Sequence, residues 1–200
     1  CDRMATIDAA CNSFGQTINV NMMQMMAAYC SIINGGMLYQ PHIVKRIESA
    51  NGEVVKEYKA NLVRQTITAS TSKLLRRYLK NTVEEGTAKK AGVTGYSVAG
   101  KTGTAQKGDR KDNKWIISFI AHAPAENPKF AIYVVIDEPY GTTGTSGSSA
   151  DVLTLTHNIL EKLLPYMNVY KDASDEYEDT SSSPDELTVD GIPAGTASSN

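Results

Sequence analysis

The sequence predicts an α+β domain: an antiparallel three-stranded sheet packed with helices, plus a small hairpin. Two observations predict it. Three strand-like runs, residues 96–102, 114–123 and 129–137, follow one another through loops too short for a parallel crossover, so they should pair as an antiparallel meander. Helical periodicities lie before and after these runs rather than alternating with them, which separates α+β from α/β organisation.

The first element with clear signals is a helix from Met22. Asn21 precedes the apolar run, Gln24 completes a capping box, and Gly35-Gly36 is the stop. Its methionines and alanines make it apolar on nearly every side, and a helix without a polar face belongs inside a larger body. Residues 42–48 and 53–58 read as short strands joined across Ser49-Ala50-Asn51-Gly52, where Asn-Gly is the hairpin signal. After a cap at Thr68 or Ser70, the residues Leu74, Leu75, Tyr78, Leu79 and Val83 recur at helical spacing until Gly86, with Arg76, Arg77 and Lys80 turned outward. The meander comes next. A Gly, Thr and Ser stretch at 141–149 then leads into a last helix, in which Val152, Leu155, Ile159 and Leu163 share the face laid on the sheet and Pro165 is the terminator.

The 200 residues carry a formal charge of −2, which offers no global attraction to nucleic acid or to an anionic membrane. The charge is unevenly spread. Residues 171–200 hold eight acidic side chains and one lysine, or −7, against +5 for residues 1–170. The chain therefore divides into a domain at 1–170 and an acidic, Ser-rich tail at 171–200 with too little apolar surface to offset its ordering entropy, expected to be disordered. No apolar run reaches the roughly 18 residues of a spanning helix, and Cys1-Asp2-Arg3 lacks the pattern of a secretory signal, so an export signal or anchor is expected outside this chain. Cys1, Cys11 and Cys30 fit neither a metal clip nor an even disulfide framework and read as small core side chains. The methionine stripe reads as adaptable core filler rather than a soft-metal site.

Three motifs compete for the chemistry. Gly95-Tyr96-Ser97-Val98-Ala99-Gly100-Lys101-Thr102 fits the phosphate-binding loop of nucleotide hydrolases. That loop needs a strand before its first glycine and a helix opening at its Lys-Thr, whereas 96–99 reads as strand and two glycines follow within 103–108. Ser70-Thr71-Ser72-Lys73 satisfies Ser-x-x-Lys, a serine with a lysine one helical turn on to take its proton. Ser70 or Thr71 is better read as a helix cap. The third motif takes Lys101-Thr102-Gly103 as the end of a strand. His42, His122 and His157 read as structural, since no nucleophile elbow accompanies them.

The run Ala99-Gly100-Lys101-Thr102-Gly103-Thr104-Ala105-Gln106 resembles the Lys-Thr-Gly box of penicillin-binding proteins. The likeness extends in order through Phe14-Gly15-Gln16, Asn34-Gly35-Gly36, Glu85-Gly86-Thr87-Ala88, Ser118-Phe119, Ala123-Pro124-Ala125, Asn127-Pro128-Lys129 and Val134-Val135-Ile136-Asp137-Glu138-Pro139. That succession, over about residues 4 to 165, is similar to the C-terminal half of a class B, monofunctional peptidoglycan D,D-transpeptidase. Ala121-His122 departs from it, a glycine and an aromatic being more usual there.

The resemblance implies a role for each residue of the box. Lys101 and Thr102 would bind the carboxylate of a D-Ala-D-Ala stem peptide or of a β-lactam, with Gly103 letting the substrate backbone approach. The N–H of Thr104 would be one half of the oxyanion hole. In the family the nucleophile lies far upstream of this box with a Ser-x-Asn box between them, while only 27 residues separate Lys73 from Lys101 and the sole Ser-x-Asn is Ser198-Ser199-Asn200. The nucleophile is therefore expected outside the chain, which would be inactive alone. The resemblance further implies no cofactor or metal, an extracytoplasmic location at the bacterial membrane, and as partners the N-terminal half of the same protein and the cell-wall synthesis machinery. That half would supply the strand beside 130–136. The alternative is a non-catalytic peptide- or partner-binding module, and the remote one a nucleotide hydrolase.

Overall fold

A computed structural model describes residues 5–16, 18–108, 114–139 and 148–172. Its order is α1 (Thr6–Asn12), α2 (Met22–Ile33), β1 (Met37–Tyr39), β2 (Arg46–Glu48), β3 (Val54–Glu57), β4 (Leu62–Gln65), α3 (Ala69–Glu84), a 3-10 turn (Lys89–Ala91), β5 (Ala99–Lys107), β6 (Lys114–Ala123), β7 (Phe130–Asp137) and α4 (Ala150–Tyr166). The main sheet is the expected antiparallel meander, ordered β5-β6-β7, and the class is α+β. The proposed tail falls from residue 173 onward outside the described residues, as do Cys1 and most of the 141–149 stretch. The last described backbone is held, Asp172 N–H donating to the Gly95 carbonyl at 2.8 Å.

The two faces of the sheet carry two cores. On one, Ile117, Phe119 and Ala121 of β6 pack with Val152, Leu153, Leu160 and Leu164 of α4. On the other, Ile120 packs with Tyr29 and Ile33 of α2, flanked by Leu79 of α3 and Tyr133 of β7. Helix α3 crosses the start of β5 and serves both, Val83 joining the first core and Leu79 the second. The capping box of α2 is present in full, Asn21 Oδ1 accepting from Gln24 N–H at 2.8 Å and Gln24 Oε1 from Asn21 N–H at 2.9 Å. Met22 and Met23 remain more than half exposed, so the apolar start of α2 is uncovered among the described residues.

Several expectations are corrected. Strand β5 begins at Ala99 and ends at Lys107, not at 96 and 102, because Gly95 at φ 79° and the Tyr96 N–H to Val93 carbonyl bond hold the preceding chain in a turn. Pairing with β6 then carries the strand through Gly103 and Gln106, which have little local strand preference. The hairpin strands are shorter than expected, 46–48 and 54–57, and a second ladder that the sequence did not reveal, β1 with β4, closes below them. Helix α1 was also not foreseen. The core face of α4 is Val152, Leu153, Thr156, Leu160 and Leu164, while Leu155 is exposed, and Pro165 sits inside the last turn. Thr68 is the cap of α3, its hydroxyl accepting from Thr71 N–H at 3.2 Å. Arg76 turns inward, donating to the Ile33 carbonyl at 2.7 Å and to Ser72 Oγ at 3.2 Å, where it caps the end of α2.

Strand β7 pairs only with β6, and its other edge has no strand partner among the described residues. Phe130–Asp137 carries no charge or proline before its last residue, so this edge is a template for pairing. The chain is expected to associate through it, and Tyr133→Lys or Val135→Lys to favour the monomer. Sedimentation decides the matter: a wild-type chain monomeric at high concentration, with the 130–136 amides exchanging freely, contradicts the expectation.

Candidate substrate-binding edge

Residues 101–104 lie in the middle of β5, on the outer edge of the main sheet. No helix opens at Lys101-Thr102, and the strand continues through the residues where a phosphate-binding loop would turn into its helix. The nucleotide reading is overturned.

Side chains alternate along the strand. Lys101 and Gly103 share the face of their cross-strand partners Ile120 and Ser118, the α2 side. Thr102 and Thr104 share the face of Phe119 and Ile117, the α4 side. The sheet does not bring the lysine and the hydroxyls together on one face; they can meet only at the strand's free edge. The two glycines confirm the parity. A Cβ at Gly103 would lie 2.6 Å from Ser118 Oγ, and one at Gly100 would lie 2.6 Å from the Phe119 ring and from the Ile120 carbonyl oxygen. Gly100 is thus required by the core beneath it, whereas at Gly103 a side chain would have to displace the Ser118 hydroxyl.

The peptide groups alternate too, between the β6 ladder and the free edge. The Gly100 carbonyl accepts from Thr82 Oγ1 of α3 at 2.6 Å, and the Thr102 carbonyl accepts from the Lys101 ammonium at 3.0 Å. Both bonds are what carbonyls turned away from β6 would make. By the same parity the N–H and C=O of Thr104 face outward. Helix α3 covers the edge as far as Gly100, and beyond it, from Thr102 to Thr104, no strand pairs with the edge among the described residues. Lys101 is exposed, and a carboxylate arriving at this edge is a stronger partner for its ammonium than the backbone carbonyl it now holds.

The other sequence candidates are structural. Ser70 is exposed and bonded to the cap Thr68 at 2.9 Å, and Lys73 beyond it is exposed, so the Ser-x-x-Lys pattern is a helix start in solvent. His122 is fully buried. Its Nε2 lies 3.2 Å from the Ala125 carbonyl, which can only accept, so Nε2 carries the proton and Nδ1 accepts from the Tyr29 hydroxyl at 2.8 Å. Burial pushes its pKa down to about 4, with the Arg76 charge acting in the same direction. Burial also raises Tyr29 and Cys30 above their ordinary ranges. His157 Nδ1 meets the Gly92 carbonyl at 2.8 Å. Among the described residues no three His, Cys, Asp or Glu side chains cluster to hold a metal, and no helix is long and apolar enough to cross a membrane. The sequence marks Ser118-Phe119 only as part of the likeness; that Ser118 lies beneath Gly103 follows from the register of β5 with β6, which no local pattern discloses.

Residues 2–161 match the penicillin binding protein transpeptidase domain family. Stage V sporulation protein D of Bacillus subtilis (strain 168) is 39% identical over 172 residues, which is 84% of this chain and 26% of that protein. Penicillin-binding protein PbpB of Mycobacterium tuberculosis (strain H37Rv) is 33% identical over 168 residues, 78% of this chain and 24% of its own. Among solved structures, apo penicillin binding protein 3 of Mycobacterium tuberculosis matches with a TM-score of 0.74 at 28% identity over 86% of this chain and 41% of that one. Its complex with ampicillin matches with a TM-score of 0.69 at 31% identity, over 82% and 38%. The chain spans about a quarter of the length of these curated relatives.

Proposed function

The chain belongs to the penicillin binding protein transpeptidase domain family, and on that premise we propose that it supplies the substrate-binding strand of a serine D,D-transpeptidase that cross-links peptidoglycan. The observation that carries this is the open edge of β5 at Thr102 to Thr104, begun where the Thr82 to Gly100 bond ends the cover of α3. A peptide ending in D-Ala-D-Ala, or a β-lactam that imitates it, lies along this edge. Lys101 and the Thr102 hydroxyl hold its terminal carboxylate, and the absent side chain of Gly103 leaves room above Ser118 for its backbone. A serine outside these 200 residues attacks the carbonyl of the penultimate alanine. The outward N–H of Thr104 donates to the oxygen on which negative charge develops. D-Alanine leaves, and an amine of a second strand releases the acyl group from the serine.

Support for the ligand class comes from the matched penicillin binding protein 3, which has been solved with ampicillin and with aztreonam. Peptidoglycan chemistry places the enzyme on the outer side of the cytoplasmic membrane, among the cell-wall synthesis machinery. No cofactor is needed, since proton transfer to and from the serine falls to a lysine of the same domain.

Incubated with a fluorescent penicillin, the 200-residue chain is expected to form no covalent adduct by intact-mass spectrometry, and the longer product of the same gene to form one. A stoichiometric adduct on the short chain, above all one mapped to Ser70, would return the nucleophile to this sequence. Absence of any adduct on the longer product overturns the transpeptidase reading in favour of a non-catalytic binding module.

A further inference from the structure

The outer face of α3 and the loop at Ala125-Glu126 enclose a groove of about 570 Å³, separate from the β5 edge. Its cations differ in what they hold. Lys80 is committed to Glu126 at 2.6 Å, with Glu84 at 3.6 Å, and Arg76 to the end of α2. Lys73 and Arg77, one turn apart on the same helix face, are exposed and meet no carboxylate among the described residues; Arg77 lies only over the ring of Tyr78, 6.0 Å from its centre. Leu74 between them is 41% exposed and Tyr78 54%, so the unpaired charges border apolar surface.

We propose that this groove receives the acidic segment Asp175-Glu176-Tyr177-Glu178-Asp179 of the same chain. Three observations favour it. The segment sets four carboxylates around one aromatic ring, the complement of two free cations beside exposed Leu74 and Tyr78. The chain leaves the structure close by: Asp172 is bonded to Gly95, and two residues on, Ser97 Oγ donates to Glu126 Oε2 at 3.0 Å on the groove wall, with Ala125 N–H on the Ser97 carbonyl. The tether is also short: at about 3.5 Å per extended residue, 175–179 reaches at most roughly 10–25 Å from Asp172.

A segment too polar to build a core of its own can still be held by charge when it is tethered beside its site. A short tether gives an effective concentration roughly in the millimolar range, far above a micromolar solution of chains. The groove therefore fills from its own chain before it fills from another. Because α3 also anchors Gly100 through Thr82, the occupied groove and the substrate-binding edge share one helix.

The test is zero-length carbodiimide coupling of the full 200-residue chain at low micromolar concentration and low salt, using an equal mixture of isotope-labelled and unlabelled protein, followed by peptide mapping. The expected product is an amide between Lys73 and a carboxylate of 175–179 within one chain. Arg77→Glu should lower its yield about three- to fivefold, the scale of one exposed ion pair. No Lys73 link, or one formed only between labelled and unlabelled chains, overturns the proposal. So does an equal yield at Lys89 or Lys90, or an Arg77→Glu yield unchanged from wild type.

Discussion

Lys101→Ala in the full product of the encoding gene is expected to lower the rate of acylation by a penicillin about 10- to 150-fold, the span of one hydrogen bond to a charged group at 1.5–3 kcal/mol. The melting temperature should not change. Lys101 is exposed and bonded only to the carbonyl of its neighbour, so the folded state loses little when the side chain is truncated. That separation makes the experiment informative: a stability defect would spread over every property of the enzyme, whereas a lost carboxylate contact appears in acylation alone. Gly103→Val tests the same edge by filling it. Its β-carbon would stand 2.6 Å from Ser118 Oγ, so the serine must turn away, and the branched methyls then stand where the substrate backbone is proposed to lie. Acylation within twofold of wild type in both variants would remove β5 from the binding site.

How much of this was legible in the sequence follows from where the information lies. The α2 capping box, the Asn-Gly turn and the extent of α3 are local, and each stands where the sequence puts it, although Leu74 and Tyr78 of the expected apolar stripe of α3 face solvent. The extent of β5 is not local. A strand through Gly103 exists because nine residues of β6 pair with β5, and no short window around Gly103 contains that partner. The ladder of β1 with β4 joins segments more than twenty residues apart, for the same reason. The amphipathic pattern of α3 predicts Arg76 outward, since charge on such a helix usually faces water. Arg76 turns inward because the carbonyls at the end of α2 need a donor there, which no property of α3 discloses. In α4 two apolar stripes overlap, and the sheet selects the one containing Leu160 and Leu164. The Lys-Thr-Gly box could be identified from its ordered neighbours, yet the division of its side chains between two faces, and the outward turn of the Thr104 peptide, depend on the register with β6.

His122 makes the fold sensitive to mild acid, and the sign follows from which state binds the proton. In the unfolded chain its pKa is about 6.5; in the folded one burial holds it near 4. Between these values the unfolded state carries a proton that the native state refuses, so stability is full above about pH 6.5, falls as the pH drops through the window, and levels off below about 4. The complete drop is about 3 kcal/mol at 1.36 kcal/mol per pH unit. Protonation would also give Nδ1 a hydrogen that faces the Tyr29 hydroxyl, ending that oxygen's role as donor, while the Arg76 charge nearby opposes a second cation. Glu126 is the charged group acting in the opposite sense. Its carboxyl, raised by burial but lowered further by bonds from Lys80, its own backbone and Ser97, titrates below the ordinary glutamate range. It therefore contributes acid sensitivity only at the bottom of the window. His122→Gln keeps one donor and one acceptor and removes the titration. Urea unfolding of both proteins from pH 7.5 to 4.5 should show wild type losing stability steeply below pH 6.5 and the variant, less stable at pH 7.5, losing far less over the same range. Parallel curves would mean that the buried pair of Tyr29 and His122 is not what acid disrupts.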